Sequence, residues 1–322
     1  MAVIITILSI TAGLLTVVAA AEATCYTPRE RNGQCRRDPY RLPSTLFGTK
    51  TTYRHATGLH TKWANRARVP GCKPLLLMIF MRHTTRFPGK KDLEKFAVRL
   101  PELQSMILNA SRAGSEDVRL MAKICAFEVA VRGWSPFCYL FDKADLDLLE
   151  YAKDLDDYEE DAYGNQRSVA LGCLLVEEMV DKIREKLRTS LTGGASFHTH
   201  LRAALYFTHA AVMKSLVAKL GLGRAAPPLS ASNYCRYRHH RPWRSSHLVP
   251  FTANFALVLF QCGNSLLNVL PILNEKVVWL PGCRREFCPL EDFLRSSVVH
   301  SSRNCDPEKI CSKSWNGSGR AE

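Results

Sequence analysis

Three short apolar runs constrain this chain more than anything else in it. Residues 75–81 (Leu-Leu-Leu-Met-Ile-Phe-Met), 203–207 and 255–260 are continuously apolar and too short to span a bilayer. Such runs suit strands buried on both faces, as in a sheet covered by helices. Between the first and second run the pattern changes. Val176, Met179, Val180, Ile183 and Leu187 recur at helical spacing with charged residues between them. Residues 145–161 are acidic and carry Leu146, Leu149, Tyr151, Leu155 and Tyr158, which predicts a helix whose charged side is solvated. The order strand, helical block, strand, helix, strand predicts an α/β fold with a helical insertion at about 92–195.

Composition limits what such a fold could serve. The chain has 322 residues, 46% hydrophobic and 23% charged, which excludes a disordered chain, a collagen and a multi-span membrane protein. Lys and Arg number 44 against 30 Asp and Glu, a formal charge of +14 that favours an anionic partner. Nucleic acid is not expected, because the basic residues are scattered and the chain starts like a secreted one. The first 21 residues are uncharged and end in Ala19-Ala20-Ala21, as a signal peptide over 1–21 would; the alternative is an N-terminal membrane anchor.

Twelve cysteines and two sequons, at Asn109 and Asn316, agree with a secreted or lumenal, disulfide-bonded glycoprotein. Cys283 and Cys288 are the best local disulfide pair, and Cys305 with Cys311 a second. No Cys-x-x-Cys occurs, so no zinc is expected. One folded domain is expected over 22–322, with residues 22–70 as an irregular basic arm held by Cys25 and Cys35.

The first apolar run ends in Arg82-His83-Thr84-Thr85-Arg86-Phe87-Pro88. Ligands of open α/β sheets bind beyond the carboxyl ends of strands. Two guanidinium groups flanking an imidazole suit a phosphate, and the imidazole could attack phosphorus. His209 follows the second run in the same way. No Gly-x-Ser-x-Gly, P-loop, dinucleotide fingerprint or His-Glu-x-x-His is present. A further basic cluster (Arg236, Arg238, His239, His240, Arg241, Arg244) lies in a loop-like stretch.

With its Arg-His-x-x-Arg-x-Pro stretch the chain resembles the histidine acid phosphatases, whose signature is Arg-His-Gly-x-Arg-x-Pro. Further stretches resemble their multiple inositol polyphosphate phosphatase branch. These include Leu46-Phe47-Gly48-Thr49-Lys50-Thr51-x-Tyr53, Cys125-Ala-Phe-Glu, Ser135-Pro-Phe-Cys138 and Tyr206-Phe-Thr-His209-Ala. Arg241-x-Trp243-Arg244-Ser-Ser, Pro250-Phe-x-x-Asn254, Asn274-Glu275 and Pro281-Gly-Cys283 to Cys288 complete the set. The resemblance implies an open, mostly parallel sheet flanked by helices. It implies His83 as nucleophile, Arg82, Arg86 and His209 as phosphate ligands, and no cofactor or metal. Inositol polyphosphates such as phytate, and bisphosphoglycerate, are the partners it implies.

Three departures accompany it. Thr84 replaces the signature glycine, and the stretch from Arg86 to Cys125 is far shorter than in the family, omitting a segment that carries another phosphate-binding arginine. Ala211 stands where the family has the glutamate that protonates the leaving alcohol. Two functions are therefore expected as alternatives. One is a phosphomonoester hydrolase of impaired turnover. The other is an inactive relative that binds inositol phosphates or serves as a secreted structural protein.

Overall fold

In the structure, a computed structural model, residues 46–57, 69–108, 113–191, 201–263 and 265–314 are described. The expected signal segment, Cys25, Cys35, Asn109 and Asn316 lie outside them. The described chain divides into two units. One comprises residues 46–56, 84–155 and 225–246; the other comprises 57–83, 156–224 and 247–314.

The second unit holds the sheet. Its strands are β1 (Cys72–Arg82), β2 (Ala203–Thr208), β3 (Asn254–Cys262), β4 (Leu266–Leu273), β5 (Lys276–Val277) and β6 (Cys288–Pro289). Their order is β2-β1-β3-β4-β5, with β6 also on β4. The three apolar runs are β1, β2 and β3, and helices flank the sheet as an α/β fold requires. The sheet is mixed, however, and not mostly parallel: only β1–β2 is parallel, and every other described pairing is antiparallel. The connections explain this. A long helical crossover joins β1 to β2, and only such a connection returns a strand in parallel. Residues 263–265 join β3 to β4, and Asn274-Glu275, both at positive φ (46° and 67°), turn β4 directly into β5 as a two-residue hairpin.

Burial also differs from the expectation of strands covered on both faces. β3 is buried on both faces from Asn254 to Phe260. β1 alternates: Leu76, Met78, Phe80 and Arg82 are buried, while Leu77, Ile79 and Met81 are half-buried. β2 ends the order of strands, and its Leu205 and Phe207 are 56% and 74% exposed. A continuous apolar run records that neither face is polar, not that both are covered.

Helices α1 (Lys90–Leu108), α2 (Ser115–Arg132), α3 (Lys143–Asp161), α4 (Gln166–Leu171) and α5 (Cys173–Leu191) occupy the described crossover, and α6 (Ala210–Lys219) follows β2. Both α5 and α6 pack on β1. On the covered face Phe80 stacks on Tyr206 at 4.5 Å between ring centroids, and the Tyr206 hydroxyl donates to Glu178 of α5 at 2.6 Å. Burial, followed by that bond, holds the Tyr206 phenol well above its ordinary pKa. Buried Lys214 ties α6 to the end of α3 through Asp157 (2.6 Å) and Asp161.

Among the described residues, disulfides join Cys72–Cys262, Cys125–Cys138, Cys173–Cys305 and Cys283–Cys288, and Cys235 is disulfide-bonded as well. The Cys283–Cys288 pair is as expected. The Cys305–Cys311 pair is not formed: Cys305 bonds to Cys173 at the start of α5, and Cys311 is a free, exposed thiol in the helix Pro307–Ser312. This disulfide content fits an oxidising compartment. No described helix is long and apolar enough to cross a membrane.

The first unit packs Leu103, Leu120, Ile124, Phe137, Phe141 and Leu146 around the Cys125–Cys138 bond. The acidic run of α3 is solvated only near its end, at Glu159 and Glu160. Asp145, Asp147, Glu150, Asp154 and Asp157 are all buried. In this unit Arg241 bonds Glu150 (2.8 Å) and Asp154, Arg244 bonds Glu150 (2.8 Å), and the hydroxyls of Ser245 and Ser246 donate to Asp154 and Glu150. Burial pushes the Asp154 carboxyl up and Glu150 adds to this, while Arg241 and the Ser245 bonds oppose it. Gly48, at φ +51°, lies where a Cβ would come within 3.3 Å of Lys153 and Ser245, so the turn beside the network requires glycine.

Removing one partner from such a buried pair leaves uncompensated charge. Arg241→Ala should therefore cost about 3–5 kcal/mol in denaturant unfolding. A loss below about 1 kcal/mol would show that the network adds little to stability.

Candidate active site

The parallel pairing of β1 and β2 sets the site. Arg82 is in register with Thr208, and the next amide, of His83, donates to the Thr208 carbonyl at 3.1 Å. Both chains leave the sheet at this edge, each through a histidine. The rings of His83 and His209 lie 5.4 Å apart, edge to face, with 63° between their planes. His83 is half-buried and His209 exposed. His209 is also the N-cap residue of α6, in extended conformation, and its side chain makes no capping bond. The positive end of the α6 dipole thus adjoins the imidazole pair. Ala210 and Ala211 form the first turn; Ala211 is exposed and offers only a methyl group.

Arg82 falls on the buried side of β1 and is 2% exposed. Its Nη1 donates to the Val249 carbonyl at 2.9 Å, and its guanidinium carbon lies 4.5 Å from the centroid of the buried Phe251 ring. The same Phe251 ring is 6.1 Å from that of His83. The backbone of this segment holds the strand end as well. The Arg82 amide donates to the Ala253 carbonyl at 2.8 Å, and the Thr252 amide donates to the His83 carbonyl at 3.2 Å.

Arg82, His83 and His209 are therefore brought together. Arg86 and Thr84 belong to the segment that leaves β1, and both are exposed. The Arg86 Nη1 donates to its neighbour's carbonyl, Phe87, at 3.0 Å and lies 3.3 Å from where a Cβ on Gly89 would stand. Among the described residues no cluster of His, Cys, Asp or Glu could hold a metal ion. Two imidazoles, a buried guanidinium and a helix N-terminus at one strand edge make a donor-rich site suited to an oxyanion. The sequence reading assigned no role to Val249, Phe251 or Thr252. Pro250-Phe-x-x-Asn254 had marked the segment only as part of a resemblance, and its neighbours in space lie more than 160 positions away.

Comparison with known proteins gives this geometry a context. The model of the histidine phosphatase superfamily (branch 2) matches residues 90–275, a span containing His209 and Ala211. Multiple inositol polyphosphate phosphatase 1 of Gallus gallus is 29% identical over 230 residues, covering 69% of this chain and 48% of that protein. The Homo sapiens protein of the same name is 27% identical over 261 residues, covering 73% and 52%. The chain thus spans about half the length of these curated relatives. The crystal structure of a phytase from D. castellii shares the fold, with a TM-score of 0.51 at 14% identity, covering 96% of this chain and 77% of that one. With its model match extending over more than half of the residues, the chain belongs to the histidine phosphatase superfamily, branch 2.

Proposed function

We propose that the chain takes phosphomonoesters of polyphosphorylated inositols, such as phytate, at the edge formed by β1 and β2, and hydrolyses them through a phosphohistidine. The observation that carries this reading is the His83–His209 pair, 5.4 Å apart beside buried Arg82. Relatives named as inositol polyphosphate phosphatases support the substrate class. The +14 charge suits such a polyanion. Bisphosphoglycerate is a second substrate on the same reading. The expected secretory start and the disulfides favour a secreted or lumenal place of action.

The roles follow from the chemistry. A ring nitrogen of His83 attacks phosphorus, forming an N–P bond as the bond to the ester oxygen breaks. Arg82 and His209 hold the non-bridging oxygens, joined by Arg86, whose role rests on the motif. Their donors stabilise charge that grows on those oxygens in the transition state. Water then attacks the phosphohistidine, releases inorganic phosphate and returns the imidazole.

The leaving alkoxide needs a proton, and the methyl group of Ala211 has none. Water must protonate it, so alkyl phosphates should turn over slowly, while an aryl phosphate leaves as a weakly basic phenolate. Ala211 also favours the second reading, a binder of inositol phosphates without turnover.

Arg82→Ala should weaken phytate binding by about 1.5–3 kcal/mol, the scale of hydrogen bonds to charged groups. Titration calorimetry would measure it, and equal affinities would remove Arg82 from the site.

His83→Ala should abolish release of inorganic phosphate from an aryl phosphate and leave the circular-dichroism spectrum unchanged. Acid-labile phosphate should be trapped on the wild-type chain alone. Turnover surviving in His83→Ala would assign the chemistry to another group. Binding with no turnover of either substrate would favour the binder.

Ala211→Glu restores a carboxyl group in the first turn of α6, where an acidic side chain also suits the helix dipole. Phytate hydrolysis should rise by about 10²-fold or more, and aryl phosphate hydrolysis much less. An unchanged phytate rate, with aryl turnover present, would refute the missing-acid account.

A further inference from the structure

We infer that the turn at residues 250–253 is the device that positions the Arg82–His83 pair for an anion, with Phe251 as the positioning residue for the Arg82 guanidinium. This rests on the reading of the β1–β2 edge as a phosphate site.

The turn is closed by the Ala253 amide donating to the Pro250 carbonyl at 3.1 Å. Its third residue, Thr252, has φ 62°. That position of a β-turn with positive φ is ordinarily filled by glycine or asparagine. A β-branched residue there is a conformational outlier, and such outliers persist only where the surroundings over-determine them. Here the constraint is visible. The left-handed residue presents its amide to the His83 carbonyl (3.2 Å), and the next residue accepts from the Arg82 amide (2.8 Å). One turn thereby fixes the backbone of both functional residues from the side opposite β2, whose Thr208 holds the His83 amide.

The side chain of the turn's second residue does the rest. Arg82 has several rotatable bonds, yet its guanidinium is held on one edge by Val249 and covered on one face by Phe251. An aromatic face attracts a cation and fixes its orientation. A guanidinium held in this way loses little freedom when a phosphoryl oxygen binds. The Phe251 ring, 1% exposed, also borders His83.

A double-mutant cycle tests the role, read by calorimetric binding of inositol hexakisphosphate to the full chain, which needs no turnover. Phe251→Leu should weaken binding about tenfold, the scale of a desolvated cation–π contact. Phe251→Tyr, which keeps the aromatic face, should stay within about twofold of wild type. Arg82→Ala/Phe251→Leu should bind no more weakly than Arg82→Ala, because Phe251 acts through Arg82. Should Phe251→Leu not fold, Phe251→Met replaces it in the same cycle. If Arg82→Ala weakens binding but loss of the aromatic ring does not, or if the two losses add, the positioning role is overturned and the phosphate site stands. If wild type does not bind, or Arg82→Ala binds as wild type does, the site reading falls and the positioning role falls with it.

Discussion

The parallel pairing of β1 with β2 is the interaction on which the candidate site depends. With Arg82 opposite Thr208, the two strands end together, and each continues into a histidine. A slip of one residue would send the side chains of one strand to the opposite face and separate the two imidazoles. The pairing is supported from outside the ladder: Phe80 stacks on Tyr206, Tyr206 reaches Glu178, and Lys214 anchors the helix that starts at His209. Several layers of the second unit thus bear on one register.

Polar groups are buried in both units, with different consequences. Around Glu150 and Asp154, guanidinium groups and hydroxyls surround carboxylates so completely that opposite charges cancel. That arrangement secures backbone geometry. At the end of β1 the Arg82 guanidinium donates to the Val249 carbonyl and lies over the Phe251 ring. On the proposed reading that guanidinium meets an anionic ligand.

On the proposed reading, a methyl group at Ala211 in place of a proton donor has a narrow consequence. Donors that stabilise charge on the transferred phosphoryl group and the acid that protonates the leaving group contribute separately to a barrier. A site can keep the first and lack the second. Binding and reactivity toward good leaving groups then outlast reactivity toward poor ones.

The sequence by itself determined the element types, the helical crossover, the Cys283–Cys288 bond and the two histidines that end apolar runs. These are local properties: periodicity, short loops and the direct consequence of leaving a strand. It could not determine strand direction, because parallel and antiparallel neighbours use the same apolar residues, and only the connections in space distinguish them. It misread the acidic side of α3 as solvated, because the compensating Arg241 and Arg244 lie about 90 positions later and local charge density looks the same whether or not a partner arrives. Nor could it assign the turn at 250–253 to Arg82 and His83, since a proline-phenylalanine pair acquires that role only when β3 is laid beside β1. Tertiary structure decided these points because each depends on which distant surfaces meet, and burial and charge compensation are properties of the meeting rather than of either segment.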